Sequence, residues 1–400
     1  MAVSNTSARY GSVAMVFHWL VALAIVTAIP LGLLANWAGI ETSEALARKA
    51  YLFSLHKTLG LWIFVIAVAR ILWACTQMRP WLLHPERRAE TWLAGLVHWL
   101  LYVSLVIVPL SGWVVHGSTE GFAPLYGPFD RLLPDLPTSD TAAGVAAALH
   151  IIFERVLVVA ILLHVAGAVK HHVIDRDATL RRMLPGRGEI EGGPAHPRAK
   201  PPILAAFAVY AAAIGIGWGL GVFEHGEDTT AEPELAEVES GWLVEDGTLA
   251  LSVFQLGNTT AGQFDDWTAA IDFAPEPRDG VYGSVDVTIA ISSLTLGSIT
   301  GTALGVDFFD AVAFPSATYV GPIVQDGEGY RVDGVLTIKD AGVPVSLPFD
   351  LQIDGDRAVV QGETEVNRMN FGVGPTFNDP AQVGFGVTIT VNLTARNTTP

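Results

Sequence analysis

Histidine is the residue type whose placement carries chemistry in this chain. Ten of its eleven histidines precede residue 201, and several fall inside long apolar stretches. An ionisable side chain in such a place is costly and usually functional. His18 lies about five residues into the first stretch and His56 about four into the second, while the fourth carries His150 at its start and His164 near its end. Fourteen residues separate His150 from His164. On a helix both would project from almost one face, ~21 Å apart along the axis. Depth then dictates the partners: His18 with His164 near one surface of a bilayer, His56 with His150 near the other. Two bis-histidine sites stacked across a membrane suit two b-type haems, because haem iron takes axial imidazoles from opposite sides of its ring. Zinc would want about four ligands converging on one place, which these depths forbid. A single interfacial histidine such as His98 or His116 is ordinarily no more than hydrogen-bonded.

The elements that must position these groups are membrane helices. Apolar stretches run at about 13–34, 52–74, 92–115, 149–169 and 203–223. Each approaches the ~20 residues needed to cross ~30 Å of hydrocarbon, so five spans are expected. The first stretch is too long for a signal peptide and shows no small-residue cleavage site, so it reads as a retained helix. Lys and Arg in the short loops set the orientation. Eleven (Arg9, Arg79, Arg87, Arg88, Lys170, Arg176, Arg181, Arg182, Arg187, Arg198 and Lys200) fall on one side and three (Arg48, Lys49 and Arg131) on the other. The N-terminus is therefore expected in the cytoplasm, and five spans place everything after about residue 224 outside.

Composition divides the chain the same way. Of its 400 residues, 50% are apolar and only 16% charged, against roughly 25% charged in soluble proteins. The net charge of −17 is unevenly spread: residues 1–200 hold 17 Lys and Arg against 13 Asp and Glu, residues 201–400 hold 6 against 27. Such acidity argues against a nucleic-acid partner. The single cysteine, Cys75, excludes an internal disulfide, a cysteine-built zinc site and an iron–sulfur cluster. Residues 224–240 carry seven acids and no base and read as a solvated linker. Beyond them the period changes to two. Val281, Val285, Val287, Ile289 and Ile291 alternate with small or polar residues, and so do Val345, Leu347, Phe349 and Leu351, then Val383 through Leu393. Turn signals such as RDGVYG, QDGEGY and IDGDR separate these runs. An antiparallel barrel or sandwich is expected. Its only possible histidine is His225 in the linker, so no Ser–His–Asp arrangement can form, and binding is expected rather than catalysis.

Two families enter here. FHWL at 17–20, LHKTLG at 55–60, HWLLYVSLVIVPLSGW at 98–113, His150, His164 and KHHVIDRDATLRRMLP at 170–185 resemble the bacterial diheme cytochrome b561 family. That resemblance covers about residues 10–186. It implies a four-helix bundle with His18, His56, His150 and His164 as ligands of two haem b groups, in agreement with the depth argument, and leaves His98 out. It also makes His171, seven residues after His164 on nearly the same face, a candidate for hydrogen-bonding a quinone head group. Arg70, near the end of the second stretch, can pair with a haem propionate or simply snorkel to the interface. Lys57 beside His56 can face the outer haem edge, and Glu154 and Arg155 are odd residues for the inside of a span. GTALGVDFFDAVAFPSATYV at 301–320, VDGVLTIKDAGVPVSLPFDL at 332–351 and TEVNRMNFGVG at 364–374 resemble the YceI family. This implies an exported lipocalin-like barrel over about 241–395 that holds a long isoprenoid chain. Phe308, Phe309, Phe314 and Phe371 are candidates to line its tunnel, though any of them also fits ordinary barrel core.

The expected architecture is thus multi-domain. It comprises an all-α transmembrane four-helix haem bundle (1–186), a cytoplasmic loop with a fifth membrane helix (187–223), the acidic linker (224–240) and an all-β antiparallel barrel (241–400). The expected role is a bacterial inner-membrane cytochrome with a periplasmic barrel, passing electrons between the outer face and the quinone pool. Its barrel would hold ubiquinone or another isoprenoid lipid. Superoxide oxidation is one version of that scheme. The loop at 117–147, with Glu120, Asp130, Asp135 and Asp140 against Arg131, speaks against it by opposing the approach of an anion. The rival is a membrane-anchored lipid-binding or trafficking protein with structural or sensing haems. A third reading, a cytochrome subunit for a separate dehydrogenase, is disfavoured because the extra domain would occupy the docking face.

Overall fold

The computed structural model describes residues 2–119, 123–134, 136–137, 139–186, 202–223, 235, 238–297, 299–327 and 329–398. Clustering of contacts divides the chain into two compact units, one made mainly of helices and one mainly of strands.

Four of the apolar stretches form long helices: α1 (Ser12–Trp37), α2 (Ser43–Thr76), α3 (Arg88–Ser118) and α4 (Asp140–Lys170). All four are long and apolar enough to cross a membrane. Ser139 caps α4 by accepting a hydrogen bond from the Ala142 amide, which satisfies one of the orphan donors at a helix start. Val21, Ile25 and Ala28 of α1, Ile63 and Ala67 of α2, Leu105 of α3 and Leu157 of α4 form one buried cluster. Leu157 lies midway between His150 and His164 in sequence, so this cluster is an apolar layer at mid-depth of the bundle. Pro30 in α1 and Pro109 in α3 each remove one helical N–H, a defect membrane helices tolerate where neighbours re-satisfy the freed carbonyl.

The fifth stretch forms α5 (Ile203–Gly219), 17 residues long. At about 26 Å it falls short of ~30 Å of hydrocarbon, because the helix stops at Gly219 instead of continuing to residue 223. It packs on α3 and α4 through Ala206 and Tyr210, which join Val97, Leu100, Ile152, Phe153 and Ala160 in a second buried cluster. The Tyr210 hydroxyl donates to the Leu100 carbonyl (2.7 Å) and lies 2.8 Å from Ser104 Oγ. Arg187, Arg198, Lys200, Glu120, Asp135, His225 and nearly all of the linker lie outside the described residues.

Ten strands follow: β1 (Trp242–Gln255), β2 (Asn258–Phe264), β3 (Trp267–Arg278), β4 (Val281–Ala290), β5 (Leu294–Thr295), β6 (Ser316–Asp326), β7 (Gly329–Ile338), β8 (Ala341–Asp354), β9 (Arg357–Asn367) and β10 (Val383–Asn397). They form one curled sheet in the order β3-β4-β6-β7-β8-β9-β10-β1-β2-β5, and neighbours pair antiparallel. The RDGV turn between β3 and β4 places Asp279 and Gly280 at φ +55° and +85°, the paired left-handed geometry that suits a tight hairpin. Period-two alternation turns Leu249, Ile289, Tyr319, Leu336 and Ile389 to the inside of the curl.

Candidate functional site

The bundle brings together the histidines that depth arithmetic pairs. Ring centroids of His18 (α1) and His164 (α4) are 6.0 Å apart, and those of His56 (α2) and His150 (α4) are 6.2 Å apart. Two imidazoles sharing one metal need two bonds of about 2 Å plus two half-rings, which comes to roughly 6 Å between centroids. The interplanar angles are 59° and 73°. His98 approaches His164 at 5.1 Å, too close for the same arrangement, and its Nδ1 lies 2.6 Å from its own helix's Ala94 carbonyl.

The His56–His150 pair is the more fully prepared. His56 Nδ1 lies 2.8 Å from the Ala28 carbonyl, and His150 Nδ1 lies 2.9 Å from the Val108 carbonyl. Donation from Nδ1 fixes the tautomer and leaves the Nε2 lone pair free to bind a metal. Space for both rings comes from glycine. A Cβ on Gly32 would stand 2.8 Å from His56 Cε1, and one on Gly112 would stand 3.2 Å from His150. These donors and clearances fit a bis-imidazole haem. Lys57 Nζ lies 3.4 Å from His116 Nδ1 on the same hairpins.

Around the His18–His164 pair, Arg70 is the nearest cation. Its Nη2 lies 3.4 Å from His18 Nδ1 and its guanidinium stands 5.6 Å over the Tyr102 ring. Beyond this pair, the bundle end carries a polar network whose key members sequence reasoning missed. His171 Nδ1 lies 2.6 Å from Asp177 Oδ2, and His84 Nε2 lies 3.1 Å from the same oxygen. The two imidazoles stack at 6.3 Å and 11°. Burial opposes ionisation of Asp177, but hydrogen bonds from Thr179 and His171 outweigh it and hold the carboxyl at about 2. Glu90, His171 and Asp175 present ligand atoms within 4.8 Å of one another. Lys170 and Arg87 already pair with Asp175 at 2.9 and 3.1 Å, so the group is an ion-pair network rather than a cation site.

The curled sheet encloses two apolar cavities of about 1180 and 1080 Å³, counting space at their mouths. Leu249, Ile289, Leu336 and Ile389 line both, so the two cavities adjoin. Phe308, Phe309 and Phe371 line the second cavity, and Phe314 is among the lining of neither. Trp242, Trp267 and Tyr319 line the first and were not singled out from sequence, where each reads as one more strand residue. The Tyr319 hydroxyl sits 2.9 Å from the carbonyls of Val332 and Val345, and burial pushes its pKa up to about 12. Gly334 makes room for that ring, since a Cβ there would come within 2.5 Å of it. Arg368, 4% exposed at the second cavity, donates to the carbonyls of Gly384, Val373, Gly374, Phe377 and Val383.

Comparison with known proteins agrees with this division. A family model described as prokaryotic cytochrome b561 matches residues 9–186, and one described as YceI-like domain matches residues 243–395. Cytochrome b561 homolog 2 of Escherichia coli strain K12 is 33% identical over 186 residues, covering 46% of this chain and 95% of that protein. The probable superoxide oxidase CybB of Yersinia pestis is 25% identical over 183 residues, covering 44% of this chain and 96% of its own length. Among solved structures, Burkholderia cenocepacia BcnA shares 29% identity with a TM-score of 0.35, covering 37% of this chain and 95% of that one. A Campylobacter jejuni YceI protein shares 18% with a TM-score of 0.31, covering 44% and 98%. The chain therefore belongs, through residues 9–186, to the prokaryotic cytochrome b561 family, and it carries a YceI-like domain on the same polypeptide.

Proposed function

We propose that this membrane cytochrome carries two b-type haems, one held by His56 and His150 and the other by His18 and His164, and passes electrons between a periplasmic donor or acceptor and the quinone pool. The observation that carries the reading is the pair of imidazole separations, 6.0 and 6.2 Å, displaced along one helix by fourteen residues. When bound, haem supplies one-electron redox chemistry; the protein supplies ligation, spacing and a dry interior. Ala28 and Val108 orient His56 and His150, the apolar layer around Leu157 excludes water between the two sites, and Arg70 is placed to neutralise a propionate. His171, tied to Asp177 through Nδ1, has Nε2 left to meet a quinone oxygen.

Orientation rests on the cytoplasmic excess of Lys and Arg, and the periplasmic position of the barrel rests on α5 serving as a fifth span. The barrel's role is to hold an isoprenoid lipid, the quinone among the candidates, in the adjoining apolar cavities. Superoxide is a donor favoured by the name of the Yersinia relative and by Lys57 beside the outer pair. Haem stoichiometry tests the core of the proposal: His150→Ala should keep about one haem of two, and retention of both would defeat the assignment. Mass spectrometry of extracted lipid and haem reduction by added quinol or superoxide test the remainder.

A further inference from the structure

Three segments close the bundle end that holds His18 and His164: the residues before α1, the connection from α2 to α3, and the chain that follows α4. The Asn5 amide donates to Gln77 Oε1 at 3.0 Å, and the Trp81 amide donates to the Ser7 carbonyl at 2.8 Å. Arg9 donates to the carbonyls of Leu184 and Gly186, both at 2.6 Å. Trp19 Nε1 donates to the Met183 carbonyl at 2.8 Å, and the Trp19 ring centroid is 5.3 Å from that of His18. These contacts bring Arg182, the neighbour of Met183, to the side of the His18–His164 pair. The charges of Arg182 and Arg70 both act on the Tyr10 hydroxyl, and Arg70 Nη2 is itself 3.4 Å from His18 Nδ1.

Arg182 is only 6% exposed. Its Nη1 donates to the Trp81 carbonyl at 2.6 Å, but its Nε and Nη2 meet no acceptor among the described residues. Those two atoms are the parallel donors on one edge of a guanidinium, the edge that grips a carboxylate bidentately. Asp177 acts on Arg182 through space, yet its oxygens are taken by Thr179, His171 and His84. Trp73 Nε1, three residues beyond Arg70, is likewise buried without an acceptor. An unpaired buried charge is strongly destabilising, so this edge is built for an anion that the described chain does not supply. We infer that the Nε–Nη2 edge of Arg182 holds a propionate of the haem ligated by His18 and His164, an inference that rests on the haem assignment above. Haem b presents two propionates at one edge of its ring; Arg70 pairs with one and Arg182 with the other. A lipid phosphate offers the same acceptor chemistry, but it would have to enter a closed cap to reach a guanidinium this deeply buried. A ring seated between His18 and His164 brings its carboxylate there from within.

The test is haem retention by the full-length protein in nanodiscs, followed as transfer to a scavenging apoprotein. The two haems are told apart in a His150→Ala background, which should keep the His18–His164 haem alone. Arg182→Met should speed loss of that haem by about ten-fold or more, the worth of one charge-assisted bond, and leave the other haem unchanged. It should also lower the potential of the same haem, because a cation beside the ring favours the added electron. Arg182→Lys keeps the charge but not the fork, so it should recover the potential and not the retention. Wild type reconstituted with haem dimethyl ester, whose carboxylates are capped, should lose it at least as fast as Arg182→Met loses natural haem, and adding Arg182→Met should change that rate little. The ester arm needs no variant and covers an Arg182→Met chain that fails to fold, as judged by circular dichroism. Natural haem held as tightly by Arg182→Met as by wild type would overturn the inference. So would an Arg182 effect that persists in full with the ester and vanishes on delipidation, which assigns the edge to a lipid phosphate. Wild type with a single haem, or a full complement of two haems in His18→Ala, would instead defeat the haem assignment.

Discussion

Gly32→Ala is a one-carbon change that should disable one redox site and spare the other. The new Cβ would stand 2.8 Å from His56 Cε1 and 3.0 Å from Nδ1, whereas carbon atoms rest at about 3.5–4.0 Å. The imidazole must therefore retreat by roughly 0.7 Å. The same retreat stretches the 2.8 Å bond from His56 Nδ1 to the Ala28 carbonyl to about 3.5 Å, the limit of a hydrogen bond. Overpacking of this kind costs about 1–3 kcal/mol. The lost bond adds about 1 kcal/mol, and the gain from replacing a helical glycine returns only about 0.5–1 kcal/mol. Gly112→Ala meets His150 at 3.2 Å, a contact relieved by a few tenths of an ångström, so its effect should be smaller and fall on the same site. Gly167→Ala meets nothing within 4 Å and should be neutral or slightly stabilising. The assay is haem content per chain with a redox titration of each variant. The ranking expected is loss or a large potential shift of one haem in Gly32→Ala, a modest shift in Gly112→Ala and none in Gly167→Ala. A Gly32→Ala protein with both haems and both potentials unchanged would refute the placement of His56.

Asp177 is depressed from its ordinary 3.8 to about 2, so it contributes stability that is complete above pH 3.8 and disappears as pH falls toward 2. Asp177→Asn should flatten that acid limb of an unfolding-versus-pH curve and loosen His171. Tyr319 is raised from 10 to about 12. Its contribution is complete below pH 10 and lost between about 10 and 12, and Tyr319→Phe should remove that alkaline dependence at a cost of about 1 kcal/mol, read by near-ultraviolet circular dichroism. Arg368→Met leaves five buried carbonyls without their donor and should destabilise the barrel by more than about 3 kcal/mol, measured by denaturant titration followed through Trp242 and Trp267 fluorescence.

Much of the bundle was legible because helical periodicity and hydrophobic length are local properties. His150 and His164 disclose their common face in a fourteen-residue spacing, and His18 and His56 disclose their depth. The alternation in β4, β8 and β10 was equally local. The meeting of His84 with Asp177 was not legible, since it spans 93 residues and nothing in the 170–185 motif that contains Asp177 points to His84. His171 drew notice only through the family resemblance. The expected fifth span shortened because apolar composition alone does not say where a helix stops, and Gly219 ends it early. Of the four phenylalanines that the YceI resemblance offers as tunnel lining, Phe314 alone is absent from it. The turn at Asp310, whose carbonyl accepts from the Ala313 and Phe314 amides, separates it from Phe308 and Phe309.

The carbonyl-and-glycine seat described for His56 recurs for His150. In each case the carbonyl lies four residues before the glycine: Ala28 and Gly32 on α1, Val108 and Gly112 on α3. The correspondence extends further. Fourteen residues separate His18 from Gly32 and His98 from Gly112, and fourteen separate His56 from Arg70 and His150 from His164. The spacing plan of α1 and α2 thus recurs in α3 and α4. Along that plan His98 holds the place of His18, and Arg70 the place of His164. The His56–His150 end repeats the plan in both halves, whereas the other end sets a permanent cation where a second imidazole would stand, so the two ends of the bundle are not electrically equivalent.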